Sequence, residues 1–150
     1  MDVLQRYVSQ QPLEVETFFA MVDTTAELIG NSEKYWSSRG INGARIRILV
    51  EIAKAGGTIL PSVLAVRIGV TKANISVLLV PLEQQGYIRS ISDPKDGRKR
   101  RILLSDEGEK LLLDVLPGNR AVIAKRMENL DADKLKLLLS LLRKLQARKE

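Results

Sequence analysis

Between Pro61 and Val80 the chain contains two short apolar helical segments joined by a tight turn, an arrangement that few folds accommodate. Gly69 breaks the helical pattern, and Thr71 is suited to cap the helix that follows. Two helices that cross steeply need a small residue at their contact, left-handed backbone angles at the turn and apolar side chains beneath. The residues that fit these positions are Leu64, Ala65, Ile68, Gly69, Val70, Ile75 and Leu78. The pattern predicts a helix-turn-helix, with an ordinary helical hairpin for protein contacts as the alternative.

A helix-turn-helix that binds DNA inserts the start of its second helix into the major groove. Helical periodicity turns the following residues away from the buried face or to its shoulders: Lys72, Ala73, Asn74, Ser76, Val77, Val80 and Gln84. We predict that the residues that contact DNA from this helix are Thr71, Lys72, Asn74, Ser76 and Val77. Their polar groups suit base edges or phosphates, and a valine suits a thymine methyl group. The alternatives are that Thr71 only caps the helix and that Ser76 and Val77 are plain surface residues.

Positive charge is concentrated in the middle of the chain. Residues 41–105 carry eleven basic and four acidic side chains, whereas residues 1–40 carry three and six. Two extended segments, about Ile88 to Ser92 and Arg100 to Leu104, flank the turn-forming string Asp-Pro-Lys-Asp-Gly. The sequence therefore predicts a β-hairpin with a cationic tip, which attracts a polyanion unless it is only a solvated charged loop.

The tip of this hairpin supplies a second set of predicted DNA contacts. An arginine near the end of a two-stranded ribbon can enter a narrow minor groove, and Arg98 is in that position. Lys99, Arg100 and Arg101 are predicted to hold phosphates, but alternation along a strand lets only some of them face DNA. Asp96 is predicted to fix the loop by pairing with a neighbouring basic side chain or, alternatively, to act as a turn former.

Long helices are predicted on both sides of this basic middle. One runs from about Leu13 into the thirties and buries an apolar stripe, and the first dozen residues are interpreted as a linker. Ser105 caps another helix, which is expected to be interrupted at Pro117-Gly118 before a final leucine-rich helix.

The first and last of these helices carry more apolar surface than one small domain can cover. In the last helix, leucines at three- and four-residue steps form a seam of the kind found in coiled coils. We therefore predict a homodimer, with packing of the seam inside one chain as the alternative. The predicted interface residues are Phe18, Phe19, Leu135, Leu138, Leu142 and Leu145.

The chain contains no cysteine and no histidine. This composition excludes disulfides, thiol redox chemistry, thiolate or imidazole metal sites and nucleophiles that need a histidine base. We expect no metal, no cofactor and no enzymatic activity, because the clustered carboxylates lie at helix starts, where they complement the helix dipole. No apolar run approaches the ~18 residues that span a bilayer and no leader opens the chain, so a soluble cytoplasmic protein without a membrane partner is expected.

These patterns predict a single domain over residues 1–150, mainly α with a small β wing. Residues 41–104 are expected to form a winged helix-turn-helix DNA-binding lobe, and residues 12–40 and 105–150 a helical dimerisation region. At the junction of the two regions, Tyr35, Trp36 and Arg39 are candidates to line a pocket for a small aromatic anionic effector. The alternative is that these aromatic side chains complete the core.

The segment from Pro61 to Gly108 resembles the bacterial and archaeal MarR (multiple antibiotic resistance regulator) family of winged helix-turn-helix transcription factors, and the likeness covers nearly the whole chain. The wing signature of that family alternates aspartate and arginine. Its positions are occupied here by Asp93, Lys95, Asp96 and Arg98, with lysine where arginine is usual. The resemblance implies an obligate homodimer that grips a palindromic operator, and repression that a small ligand or an oxidant relieves.

Two features depart from the family pattern. Val77 and Pro81 stand where polar or basic residues are common, and Pro81 is expected to bend the recognition helix. The lack of cysteine and histidine argues against oxidant and metal triggers. The sequence favours a homodimeric regulator that binds double-stranded DNA, with a repressor favoured over an activator. The alternative function is a winged-helix module for protein assembly that does not bind DNA.

Overall fold

The computed structural model describes residues 1–146, so the end of the predicted dimerisation region, residues 147–150, lies outside the described residues. Along this part of the chain, the elements are α1 Asp2–Ser9, α2 Leu13–Ser38, α3 Gly43–Lys54, β1 Thr58–Ile59, α4 Pro61–Ile68, α5 Lys72–Gln84, β2 Ile88–Ser92, β3 Arg100–Leu104, α6 Asp106–Arg126 and α7 Ala132–Gln146. The fold is mainly α with one small sheet, which confirms the predicted fold class. Within residues 1–146 no single helix has the length and apolar composition to cross a membrane, and α4 with α5 meets that test only as a bent pair.

Helices α4 and α5 form the predicted helix-turn-helix. Their axes turn by 102° at the connection, within the range typical of this motif. Gly69 ends α4 with a φ of +81°, in the left-handed region that favours glycine. Beneath the two helices, Leu64, Ala65 and Ile75 are buried, and Ile68, Val70 and Leu78 are partly buried against the same core.

The predicted hairpin is present with the predicted bounds, as strands β2 and β3. They are antiparallel, and Ser92 pairs with Arg100 at the end nearest the tip. Strand β1 pairs with the other edge of β3, which gives the strand order β1-β3-β2. Local sequence does not predict β1, because a two-residue strand is defined only by its distant partner. Since β1 leads directly into α4, the sheet fixes the hairpin relative to the helix-turn-helix.

Helix α3 lies at the centre of the hydrophobic core. Its Ile48, Leu49 and Ile52 are fully buried. It contacts α2, α4 and α6 as well as strands β1 and β3. Because Trp36 of α2 and Leu112 of α6 belong to the same cluster, the lobe and the flanking helices share one core.

The apolar stripe of α2 is not buried within the single chain, so this prediction is wrong for the chain alone. Phe18, Phe19 and Ile29 are exposed, whereas Trp36 near the end of the helix is buried. Contacts of α2 with α3 and α6 account for that buried end. Most of the rest of the stripe is exposed within residues 1–146, and its burial needs a further surface.

The segment interpreted as a linker contains helix α1, which corrects the prediction. Its apolar residues Val3, Leu4, Tyr7 and Val8 recur at helical spacing. All of them are exposed. The spacing of these residues indicates a helix, although eight residues are too few to make a helix stable by themselves.

The predicted interruption at Pro117-Gly118 is also wrong, because α6 continues through both residues. Proline removes one backbone hydrogen bond from a helix. Packing on α2 holds α6 in place near the proline: the Tyr35 hydroxyl donates a hydrogen bond to the Val115 carbonyl (2.6 Å). Gly118 permits this approach, since a Cβ there would overlap the Tyr35 ring and hydroxyl. Tertiary contacts thus maintain the helix across the proline.

Candidate nucleic-acid interface

The first turns of α5 form an exposed and largely polar face. The residues predicted to contact DNA all lie on it: Thr71, Lys72, Asn74, Ser76 and Val77. The Thr71 hydroxyl accepts a hydrogen bond from the Asn74 N–H (3.2 Å), so it caps the helix. The Ser76 hydroxyl donates to the Lys72 carbonyl (3.2 Å). The Lys72 ammonium and the Asn74 amide make no side-chain hydrogen bond within residues 1–146, which leaves both groups available to a ligand.

Two aspartates shape the tip of the hairpin. The Asp93 carboxylate accepts a hydrogen bond from the Lys95 N–H (3.0 Å). The Asp96 carboxylate accepts one from the Arg98 N–H (3.1 Å). Asp96 therefore acts as a turn former through a backbone amide, which is the alternative that the sequence left open, and it pairs with no basic side chain within residues 1–146.

The wing tip carries three exposed cationic side chains, Lys95, Arg98 and Lys99. Within residues 1–146 no carboxylate oxygen lies within 4.0 Å of these cationic groups. Like charges on a projecting loop produce a positive potential that an external polyanion can neutralise. The tip thus has the electrostatics expected of a DNA contact.

Arg100 and Arg101 leave β3 on opposite faces, as alternation along a strand requires. The Arg100 guanidinium lies across β2, where it donates to the Ser90 hydroxyl (3.1 Å) and the Ser90 carbonyl (3.0 Å). Arg101 is directed to the other side and donates to the Thr58 hydroxyl (3.3 Å). Arg100 is therefore exposed and oriented, whereas Arg101 is partly buried. Sequence reasoning missed Ser90, whose position diagonal to Arg100 follows only from the strand register.

A cavity of about 570 Å³ lies between α2, α3 and α6. Its wall is mostly apolar and includes Leu28, Ile29, Trp36, Val122, Ile123 and Met127. Its charged lining residues are Glu33, Arg47 and Arg126. An apolar cavity of this size with a few polar groups is typical of a site for a small organic ligand.

The predicted pocket residues do not come together around this cavity. Trp36 lines it, but Tyr35 and Arg39 do not. Arg39 instead forms an ion pair with Asp114 of α6 (2.5 Å), and the Tyr35 hydroxyl bonds to α6 as described above. Sequence reasoning missed Arg47 and Arg126, because α3 and α6 approach each other only in the folded chain.

The predicted interface residues lie on α2 and α7. Phe18, Phe19, Leu138 and Leu145 are exposed, and Leu135 and Leu142 are half-buried. Further leucines of α7, at positions 137, 139 and 141, are exposed as well. Clustered exposed apolar residues of this kind often mark a contact with another macromolecule.

Comparison with known proteins links this geometry to transcriptional regulators. A family model described as the MarR family matches residues 39–99, which contain the helix-turn-helix, β2 and the wing tip. The HTH-type transcriptional repressor YetL of Bacillus subtilis is 32% identical over 126 residues, which cover 83% of this chain and 75% of the relative. The transcriptional regulator HosA of Escherichia coli O157:H7 is 33% identical over 75 residues, which cover 50% of this chain and 56% of the relative.

Solved structures share the fold at low sequence identity. One is Sco3205, a MarR family transcriptional regulator of Streptomyces coelicolor in complex with DNA. It has a TM-score of 0.82 at 20% identity, and the match covers 91% of this chain and 88% of the Sco3205 chain. CouR of Rhodococcus jostii RHA1, bound to p-coumaroyl-CoA, has a TM-score of 0.81 at 19% identity, with coverage of 94% and 99%. The organohalide-sensing regulator RdhR-CbdbA1625 in its 2,4-dichlorophenol-bound form has a TM-score of 0.82 at 21% identity, with coverage of 93% and 82%.

Proposed function

This chain belongs to the MarR family of transcriptional regulators, and from that premise we propose that it acts as a homodimeric repressor that binds a palindromic operator in double-stranded DNA. Its relatives are regulators and not enzymes. The alternative of a module for protein assembly makes no use of the cationic wing.

The observation that carries this proposal is that one lobe presents both an exposed helix start and a cationic tip that no carboxylate of residues 1–146 neutralises. We assign the exposed face of α5 to the major groove, where Lys72 and Asn74 bond base edges or phosphates and Val77 contacts a thymine methyl group. Arg98 is assigned to the minor groove. Phosphates are assigned to Lys99 and to Arg100, whose guanidinium Ser90 already orients.

The exposed apolar residues of α2 and α7 support the homodimer, since a single chain leaves them in water. In this proposal residues 12–40 and 105–150 form the dimerisation region, of which 147–150 lie outside the described residues, and residues 41–104 form the DNA-binding lobe. Two-fold symmetry then places the two α5 helices about 34 Å apart. The operator is accordingly an inverted repeat with half-sites about one DNA turn apart.

We also propose that a small aromatic anion controls DNA binding from the cavity between α2, α3 and α6. The apolar wall and Trp36 suit an aromatic ring, and Arg47 suits an anionic group. The ligands named for CouR and RdhR-CbdbA1625 both contain an aromatic ring. In this proposal Trp36 remains a pocket residue, whereas Tyr35 and Arg39 join α2 to α6.

Selection of bound fragments from random duplex DNA tests the proposal. The full-length chain is expected to enrich an inverted repeat with half-site centres about 10 base pairs apart. Enrichment of isolated half-sites would contradict the dimer on a palindrome, and no enrichment would contradict DNA recognition altogether. The control is the double variant Asn74→Ala/Arg98→Ala, which is expected to fold normally and to lose the enrichment. A reporter gene behind the selected site then tests repression, because increased expression would contradict it.

A further inference from the structure

Arg47 contacts both the cavity and the helix-turn-helix. It lies on α3 and lines the cavity. Its Nη2 donates a hydrogen bond to the carbonyl of Arg67 (3.3 Å), in the last turn of α4. Within residues 1–146 no other cavity side chain makes a hydrogen bond to α4 or α5. Arg47 is therefore the direct polar connection between the cavity and the DNA-binding motif.

Within residues 1–146, Arg47 is the donor that hydrogen-bonds to the Arg67 carbonyl. The amides that follow α4 bond to the carbonyls of Ala65 and Val66. Within residues 1–146 the Arg67 carbonyl thus accepts no backbone hydrogen bond. Carbonyls at a helix C-terminus carry partial negative charge, which a guanidinium complements. Withdrawal of Arg47 consequently weakens the connection between α3 and the end of α4.

Of the cavity residues in the described part of the chain, Arg47 is the cation without an ion-pair partner. Arg126 already forms an ion pair with Glu27 (2.7 Å). The Glu33 carboxylate accepts a hydrogen bond from the Gly43 N–H at the start of α3 (3.0 Å). Within the described residues no carboxylate oxygen lies within 4.0 Å of the Arg47 guanidinium. An entering carboxylate can therefore bind Arg47 without displacing an existing ion pair.

We propose that Arg47 transmits occupancy of the cavity to the helix-turn-helix. This inference rests on the ligand control proposed above and adds its pathway. Without ligand, the guanidinium bonds to the Arg67 carbonyl. A ligand carboxylate forms a bidentate pair with the same guanidinium and draws it from α4. The ligand therefore binds more strongly when Arg47 points into the cavity than when Arg47 bonds to the Arg67 carbonyl. Such a difference in interaction free energy is what coupling between two sites requires. Arg47 is thus a positioning residue that does not itself contact DNA.

The experiment uses 2-naphthoate as the anionic probe and neutral 2-naphthamide as its control. Trp36 is the single tryptophan of the chain and lines the cavity, so its fluorescence reports binding of the probe. In the wild type, 2-naphthoate is expected to quench Trp36 saturably and to weaken binding to the selected DNA about fivefold or more. The amide is expected to leave DNA affinity unchanged, because it does not draw the guanidinium from α4.

Two matched variants separate transmission from binding. Arg47→Gln removes the charge and shortens the side chain so that it no longer reaches the Arg67 carbonyl, whereas Arg126→Gln removes a charge from the α6 wall of the cavity. Both are compared at concentrations of 2-naphthoate that saturate Trp36 quenching. Arg126→Gln is expected to lose DNA affinity by the same factor as the wild type, and Arg47→Gln to retain its affinity within about twofold. Equal losses in the wild type and Arg47→Gln would overturn the proposal, as would quenching without any change in DNA affinity or no quenching at millimolar probe.

Amide hydrogen exchange provides a readout without DNA. We expect 2-naphthoate to speed exchange at Gly69 and Val70 in the wild type and in Arg126→Gln, but not in Arg47→Gln. If the wild type bound no duplex DNA, the proposed function would fail, and the exchange pattern would still test the pathway. If the wild type bound DNA and 2-naphthoate changed neither affinity nor exchange, the Arg47 pathway would fail while DNA recognition stood.

Discussion

Arg98 projects from the wing tip with its guanidinium exposed, so its removal should affect DNA binding without affecting folding. We expect Arg98→Ala to weaken operator binding by about 1–3 kcal/mol, because a groove-inserted guanidinium loses its contacts. A fluorescence anisotropy titration measures the change, and light scattering checks the oligomeric state. The control is Arg6→Ala, which removes the same charge from α1. Equal affinity of Arg98→Ala and the wild type would exclude the wing from recognition.

Gly108, in the first turn of α6, packs against the backbone of Tyr87. A Cβ at this position would overlap the Tyr87 carbonyl oxygen and a Leu104 methyl group. The same carbonyl accepts a hydrogen bond from the Ser105 N–H (3.0 Å), so it cannot move away without loss. We expect Gly108→Ala to lower the free energy of unfolding by about 1–3 kcal/mol in urea denaturation. Gly97→Ala, which meets open space, should change it by less than about 0.5 kcal/mol. Equal stability of the two variants would contradict this packing.

Helix α7 presents leucines over about half of its circumference, and this face is where we place the dimer contact. Leu138→Glu together with Leu142→Glu should yield monomers or unfolded chain, since two charges would be buried without partners. The control is Lys136→Glu together with Ser140→Glu, which places two glutamates on the opposite side of the same helix. Light scattering distinguishes the outcomes. Normal dimers from the leucine variant would move the interface elsewhere.

The elements that the sequence predicts are those with local causes. Gly69 ends a helix through its own backbone angle, Thr71 caps the next one, and the turn residues set the register of the β2–β3 hairpin. The features that sequence does not predict depend on residues far apart in the chain. Strand β1 exists only because β3 pairs with it, and α6 crosses Pro117 because Tyr35 of α2 packs there.

The candidate site also contains some features that local sequence predicts and others that depend on residues far apart in the chain. Helical periodicity predicts the exposed face of α5, and strand alternation anticipates that Arg100 and Arg101 point apart. The cavity is different, because its wall combines α2, α3 and α6, and no local pattern indicates that Arg47 and Arg126 approach the same space. The sequence prediction placed Tyr35 and Arg39 in the pocket because they are close to Trp36 in the chain, but both side chains face α6.

The whole molecule carries a net charge of +6, although residues 41–105 alone carry seven more basic than acidic side chains. We therefore expect DNA binding to weaken steeply with salt, because each neutralised phosphate releases counterions. If Lys72, Lys99 and Arg100 of both protomers contact phosphates, the slope of log K against log salt is about −5. Anisotropy titrations between about 50 and 200 mM salt measure it. A slope near zero would favour a module for protein assembly.

Strand β3 is hydrogen-bonded along both edges and continues through Ser105 into α6, whereas within residues 1–146 the backbone hydrogen bonds of residues 94–99 stay inside the loop 93–99. The length of the ribbon can therefore vary without disturbing the packed part of the molecule. Two residues added to each strand would extend it by about 7 Å, close to two base-pair steps. A longer or shorter ribbon would therefore change the length of operator that the lobe covers, while the folding of the lobe and the dimer contact stay unchanged.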